Sequence, residues 1–184
     1  MDIKTYIAFI RNVMQGRQGL TKEKLKECFV KNGALDVCTH FTTGNVSFKI
    51  RESELPYLKQ YVEKELFLIL GRETPIFIRS LNELQALNLI ELFQDKNTSS
   101  IHERCITFLD KTPIFELPQQ SKRQDMEIFS IVNNNVLSVT KLINKRAGSP
   151  NKIIEKLTGQ SASTRNINTV LKIFNKLVES PNKV

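Results

Sequence analysis

Tryptophan is absent from this chain, and cysteine and histidine are scarce, with three and two copies among 184 residues. Cys28, Cys38 and Cys105 are widely separated and odd in number, and none forms a C-x-x-C pair. A disulfide framework or a zinc site is therefore not expected; reduced, buried thiols are. With only His40 and His102, general-base chemistry has few candidates. No stretch approaches the roughly 18 apolar residues of a membrane span. The apolar run in the opening MDIKTYIAFIRNV is too short for a signal peptide. The expectation is a cytoplasmic protein with no membrane partner. A Walker loop, a G-x-G-x-x-G turn and an H-E-x-x-H pair are missing too, and no cofactor or metal is expected.

What is present suits a globular chain. Hydrophobic residues make up 40% and charged residues 25%, enough to build a core without disulfides or metals. The net charge of +8 is unevenly spread. Residues 120–184 hold eleven Lys and Arg against four acids, so that stretch carries +7 and the rest of the chain +1. Such a basic region attracts nucleic acid, nucleotides or other anions; the plainer reading is a solvated lysine-rich surface.

The first half reads as β-α-β-β-α-β. Tyr6–Ile10 is a short, β-branched and aromatic run, expected to be a buried strand. Thr21 is a candidate N-cap for a helix with Leu25, Cys28 and Phe29 on one face, stopping at Asn32-Gly33. Val37–Thr42 and Val46–Ile50 make a hairpin around Thr43-Gly44-Asn45. A second helix from Ser53 carries Leu55, Leu58, Val62, Leu66 and Ile69 and ends at Gly71. Residues 74–78 form a strand that Pro75 confines to a sheet edge or to its own first position.

The second half is expected to repeat that order. A linking helix capped by Asn82 carries Leu84, Leu87 and Ile90. Residues 104–109 are a strand, 113–118 a short irregular helical turn. Residues 126–132 and 136–140 form a hairpin around Asn133-Asn134. Ser149-Pro150 starts a helix that ends at Gly159. Residues 161–164 form a short edge strand, and a last helix follows. The predicted fold is α+β: two tandem ferredoxin-like subdomains with antiparallel sheets, over 1–80 and 81–184.

Two polar spots stand out. The split βαβ order brings the end of the first strand beside the hairpin turn, so Arg11, Asn12, Thr43, Gly44 and Asn45 share one rim of the first sheet. A guanidinium beside an amide and an exposed turn suits an anion or a polar ligand; alternatively Arg11 and Asn45 fix each other and the turn. The second spot is the run from Ser161 to Thr169 before the last helix, with Thr164, Arg165, Asn166 and Asn168. A helix start with an added arginine suits an anion; helix capping explains the same polarity. Cys38 and His40 share a strand face but have no orienting carboxylate. His102 is expected at the surface. Phe9 and Phe48 read as core rather than as a stacking platform for RNA, because the Lys/Arg-Gly-aromatic opening of such platforms is missing.

Tyr6-Ile7-Ala8-Phe9-Ile10-Arg11, the stretch from Asp36 to Phe48 with its Thr-Gly-Asn turn, and Thr164-Arg165-Asn166-Ile167-Asn168-Thr169-Val170 resemble the bacterial family catalogued as domain of unknown function 1697. The resemblance implies a pair of ferredoxin-like subdomains and no defined activity. The family usually follows its first strand with Arg-Gly-Ile-Asn-Val-Gly; here Arg11-Asn12-Val13-Met14-Gln15-Gly16 stands in that place, and Ile167 replaces the usual aromatic.

Three functional readings follow. The leading one is a binding protein for an anionic ligand, nucleic acid or nucleotide, using the basic C-terminal half. The second is a small-molecule enzyme with a pocket between the halves lined by Arg11, Asn45, Arg165 and Asn168. The third is a homo-oligomer or partner-binding module that uses an exposed sheet edge.

Overall fold

The computed structural model describes residues 2–96 and 98–179. They form two compact units. Of the described residues, one unit holds Asp2–Leu84 and Lys176–Glu179, and the other those of Gln85–Asn175.

In the first unit the elements are β1 (Ile3–Ile10), α1 (Lys22–Val30), β2 (Leu35–His40), β3 (Asn45–Arg51), α2 (Leu55–Leu70) and β4 (Ile76–Ser80). The sheet order is β2-β3-β1-β4, with every neighbour antiparallel. This is the split βαβ arrangement. β4 lies at the edge, and Pro75 precedes it, so the missing N–H breaks no ladder. Thr21 caps α1 by accepting from Lys24 N at 3.2 Å, and Gly71 ends α2 in the left-handed conformation.

The register decides which side chains meet. Tyr6 sits opposite Phe48 and Ala8 opposite Val46. These residues, with Ile10 and Ile50, pack under Leu25, Cys28 and Phe29 of α1 and Leu58, Val62 and Leu66 of α2. Phe48 is the hub: its ring centroid lies 5.9 Å from that of Tyr6 and 5.2 Å from that of Phe29. Each such side chain contributes roughly 1.5–3 kcal/mol by leaving water. Residues of the opposite face, including Ile7, Phe9, Asn45, Ser47, Phe77 and Arg79, are buried as well. Phe9 and Phe48 are therefore core.

The linking segment differs from expectation. Ser80, not Asn82, caps the helix: its Oγ accepts from Glu83 N at 3.1 Å while Ser80 N donates to the Glu83 carboxylate at 2.6 Å. The helix then breaks into α3 (Leu81–Ala86) and α4 (Leu89–Leu92), because Asn88 adopts positive φ between them. Ile90 is exposed, not part of an apolar stripe.

The second unit contains β5 (Glu103–Phe108), β6 (Gln119–Gln120), β7 (Met126–Val132), β8 (Asn135–Thr140), β9 (Leu142–Ile143), β10 (Arg146–Ala147), α5 (Pro150–Thr158), β11 (Ser163–Asn166) and the start of α6 (Ile167–Glu179). Its main sheet has the order β11-β5-β8-β7-β6. Four of these strands repeat the order of the first sheet. The helix expected between the first two is missing: residues 113–118 are irregular, and the chain instead adds β6 at the edge beside β7. Pro118 contributes to this, since it removes the N–H that would close the last turn of a six-residue span and disfavours the helical region for Leu117. A second, two-stranded hairpin, β9–β10, was not expected; Asn144 and Lys145 both take positive φ at its turn. Ser149 precedes α5, but its side chain makes no capping bond. No described helix is long and apolar enough to cross a membrane.

Candidate functional site

The rim of the first sheet assembles as the topology requires. Ile10 N donates to Gly44 O at 2.8 Å, Arg11 N to Pro75 O at 2.9 Å, and Gln15 N to Thr42 O at 2.8 Å. The loop after β1 is thus laid across the β2–β3 turn. The turn is longer than expected: Phe41 and Gly44 both have positive φ, and Asn45 is already in β3 opposite His40. Gly44 has two reasons to be glycine. Its φ is 69°, and a Cβ there would stand 3.1 Å from the Cβ atoms of both Ile10 and Val13. Asn45 is buried, and its Nδ2 donates to His40 O at 3.1 Å and Thr43 Oγ1 at 3.2 Å. It therefore stitches the turn that carries it. A cation that sequence reading missed, Arg72, donates to Asn12 O at 2.6 Å and Gln18 Oε1 at 3.3 Å. Arg72 lies sixty positions beyond Asn12, so no local pattern announces it.

The second polar spot lies on an element of its own. Thr164, Arg165 and Asn166 are on β11, and Asn168 is in the first turn of α6. Thr164 Oγ1 lies 2.8 Å from Thr107 Oγ1 and 3.3 Å from Asn151 Oδ1. Arg165 folds back on its strand, donating to Ser163 Oγ at 2.9 Å and Thr164 O at 2.8 Å. Burial pulls its guanidinium down to about 10. Asn166 Oδ1 accepts from Asn168 N at 2.9 Å, the capping role weighed for this run. The two polar spots belong to different units.

Cys38 and His40 form no couple. His40 Nε2 is 2.7 Å from Ser47 Oγ, whereas Cys38 Sγ meets Thr39 O at 3.7 Å. Burial, and secondarily the charge of Lys176, lower His40 to about 4, so it is neutral near neutral pH. Cys28 and Cys105 are buried thiols pushed up to about 11 and about 12 by desolvation, and all three cysteines are free. His102 is exposed. Among the described residues no three His, Cys, Asp or Glu side chains gather as a metal site.

The basic stretch gains a shape that its sequence lacked. Lys122 and Arg123 lie on the turn before β7, and Lys141, Lys145 and Arg146 on or beside the β9–β10 hairpin; all five are exposed. Lys141 N donates to Asp125 O at 2.8 Å, which ties the two loops together. Nearby acids are engaged. Asp125 is buried, accepts from Ser121 Oγ at 2.6 Å and pairs with Arg123 at 3.1 Å. Glu127 pairs with Lys96 at 2.7 Å.

The model of a family described as a protein of unknown function (DUF1697) matches residues 3–136. The chain belongs to that family. The matched stretch contains the first two family-like segments, the β1 run and the β2–β3 hairpin, and stops before the third at Thr164. Among solved structures the chain is similar to the conserved bacterial protein SP0830 from Streptococcus pneumoniae, at 13% identity and a TM-score of 0.62, covering 96% of this chain and 99% of that one. At that identity the likeness concerns the fold. No curated protein sequence matches this DUF1697 member.

Proposed function

We propose that this protein binds a phosphate-bearing polyanion, a nucleic acid in the first instance, through the turn before β7 and the β9–β10 hairpin. The observation that supports this is the group Lys122, Arg123, Lys141, Lys145 and Arg146, held on two loops joined by the Lys141–Asp125 backbone bond, with Glu127 paired to Lys96 and Asp125 to Arg123 of the group itself. Cations on short, turn-locked loops lose little freedom on meeting phosphates, and each contact releases counterions. A mobility-shift titration of the full chain with a single-stranded and a duplex oligonucleotide, repeated across salt, tests the reading. Affinity falls steeply between 50 and 200 mM salt, roughly in proportion to the phosphates contacted, and Lys145→Glu with Arg146→Glu flattens that dependence by about two contacts. No binding at the lowest salt refutes it.

A second reading has one observation behind it. Gln15 Nε2, in the loop laid over the Thr42–Gly44 turn, is enclosed and meets no hydrogen-bond acceptor among the described residues. A carbonyl or carboxylate of a small molecule would satisfy it. Thermal-shift measurements with simple carboxylates, on wild type and Gln15→Leu, distinguish this from polyanion binding, which Gln15→Leu leaves intact.

A further inference from the structure

In the first unit α1 and α2 send their buried side chains into the same core, but their outer faces differ. The exposed positions of α1 are Lys22, Glu23, Lys24, Lys26, Glu27 and Val30, nearly all charged, and Glu27 pairs with Lys31 at 3.0 Å. That is the solvated face of an amphipathic helix. The exposed positions of α2 are, after Pro56, Tyr57, Gln60, Tyr61, Lys64, Phe67 and Leu68. Lys64 is the one charge among them, and the four apolar and aromatic side chains are 50% to 69% exposed. The acids of α2 are turned elsewhere: Glu63 accepts from Ile76 N at 2.9 Å, and Glu65 is half-buried. A helix that is apolar on both sides belongs to a structure that covers both.

The spacing points to what covers it. Tyr57, Tyr61, Lys64 and Leu68 follow one another by four, three and four residues, the alternation of a seam between two paired helices. The seam runs about 16 Å along the axis. Its spacing also reads the same in both directions. Under a two-fold axis between Tyr61 and Lys64, an antiparallel copy of α2 sets Tyr57 against the partner's Leu68 and Tyr61 against the partner's Lys64, each contact occurring twice. The single charge selects this orientation. Antiparallel, each Lys64 ammonium meets a tyrosine ring, whose face attracts a cation. Parallel, Lys64 meets the partner's Lys64, and like charges repel most where water is excluded.

We propose that the outer face of α2 is an interface with a second copy of this chain, in which two α2 helices pair antiparallel through Tyr57, Tyr61, Lys64 and Leu68. One helix face offers less than the roughly 800 Å² that each partner gives to a stable interface, so the dimer forms and dissociates with concentration. The seam belongs to the first unit and the cationic loops to the second, so neither reading depends on the other.

Sedimentation equilibrium of the full chain, from about 10 µM to about 1 mM, is the test. The mass is expected to rise from one chain toward two and no further, because a two-fold interface closes on itself. Tyr61→Lys puts two pairs of like charges in the seam and is expected to weaken the dimer by about tenfold or more. Tyr61→Lys combined with Lys64→Glu sets opposite charges in the same places and is expected to restore it, whereas a parallel pair would be broken further. Leu68→Glu is expected to weaken the dimer as well, and serves if Tyr61→Lys fails to fold; circular dichroism checks each variant. A chain that stays monomeric throughout, a mass that climbs past two, a dimer unchanged by Tyr61→Lys, or one that the double variant does not restore overturns the proposal. In the monomeric case, quenching of tyrosine fluorescence by an added oligonucleotide assigns the face to nucleic acid instead.

Discussion

The two units share a strand order and differ in what their sheets bury beneath the helices. In the first, Tyr6, Ala8 and Ile10 face Val46, Phe48 and Ile50, an apolar and aromatic row under two full helices. In the second, Cys105 and Thr107 face Val136, Ser138 and Thr140 under α5, and the other helix is replaced by the irregular 113–118 segment and by β6. The order of strands thus follows from connection lengths and antiparallel pairing, and tolerates large changes in core chemistry. The helices do not. Each needs an apolar face to cover, and in the second unit only one of the two is present.

Core truncation is the strongest way to break that contrast. Phe48→Ala is expected to cost about 3–5 kcal/mol, because it leaves a cavity between Tyr6 and Phe29. Ile128→Ala in the second unit is expected to cost about 2–5 kcal/mol, nearer the lower figure. Urea titrations of both variants measure the difference, and a larger loss at Ile128 would reverse the ranking of the two cores.

Backbone tests come next. Gly44→Ala combines a left-handed φ with contacts at 3.1 Å to Ile10 and Val13, so its cost exceeds the roughly 1–2 kcal/mol of an alanine at positive φ. Gly159, at φ 66° after α5, has nothing within 4 Å of its added Cβ and should cost only that amount. Equal melting temperatures for the two variants would show that packing at the β2–β3 turn contributes nothing.

Acid separates the units differently. His40 is neutral in the fold, held down to about 4, but takes a proton near 6.5 when the chain unfolds. Between those values the unfolded state binds the extra proton, so His40's contribution favours folding above pH 6.5, declines as pH falls, and levels off below about 4. The slope is at most one proton, and His40→Asn removes it. Urea midpoints from pH 7 to 4 measure this; a His40→Asn protein with an undiminished slope would assign it to another group.

Helix caps give the smallest effect. Thr21→Ala should cost about 1 kcal/mol, since Lys24 N loses its acceptor. Ser149→Ala should cost close to nothing, because no such bond exists there. Calorimetry of the pair decides whether the cap geometry is read correctly.

Much of the first unit was legible in its sequence: the helical spacing of Leu58, Val62 and Leu66, the Thr21 cap and the stop at Gly71 are local signals. So was the approach of the end of β1 to the hairpin turn, seen in the bond from Ile10 N to Gly44 O, which follows once the strand order is known. The role of Asn45 was open until its hydrogen bonds to His40 and Thr43 appeared. The second unit was harder. Two-residue strands such as β6 and β9 leave no alternation to detect, and the folding of Arg165 onto Ser163 depends on side-chain torsions.

Apolar periodicity, caps and turn residues determined where strands and helices run, because those preferences act over a few neighbouring residues. Tertiary structure alone decided that Arg72 reaches Asn12, that five cations share two tied loops, and that Ser138 and Thr140 are buried. Each of these depends on distances between segments remote in the chain, set only when the sheets close and the helices pack.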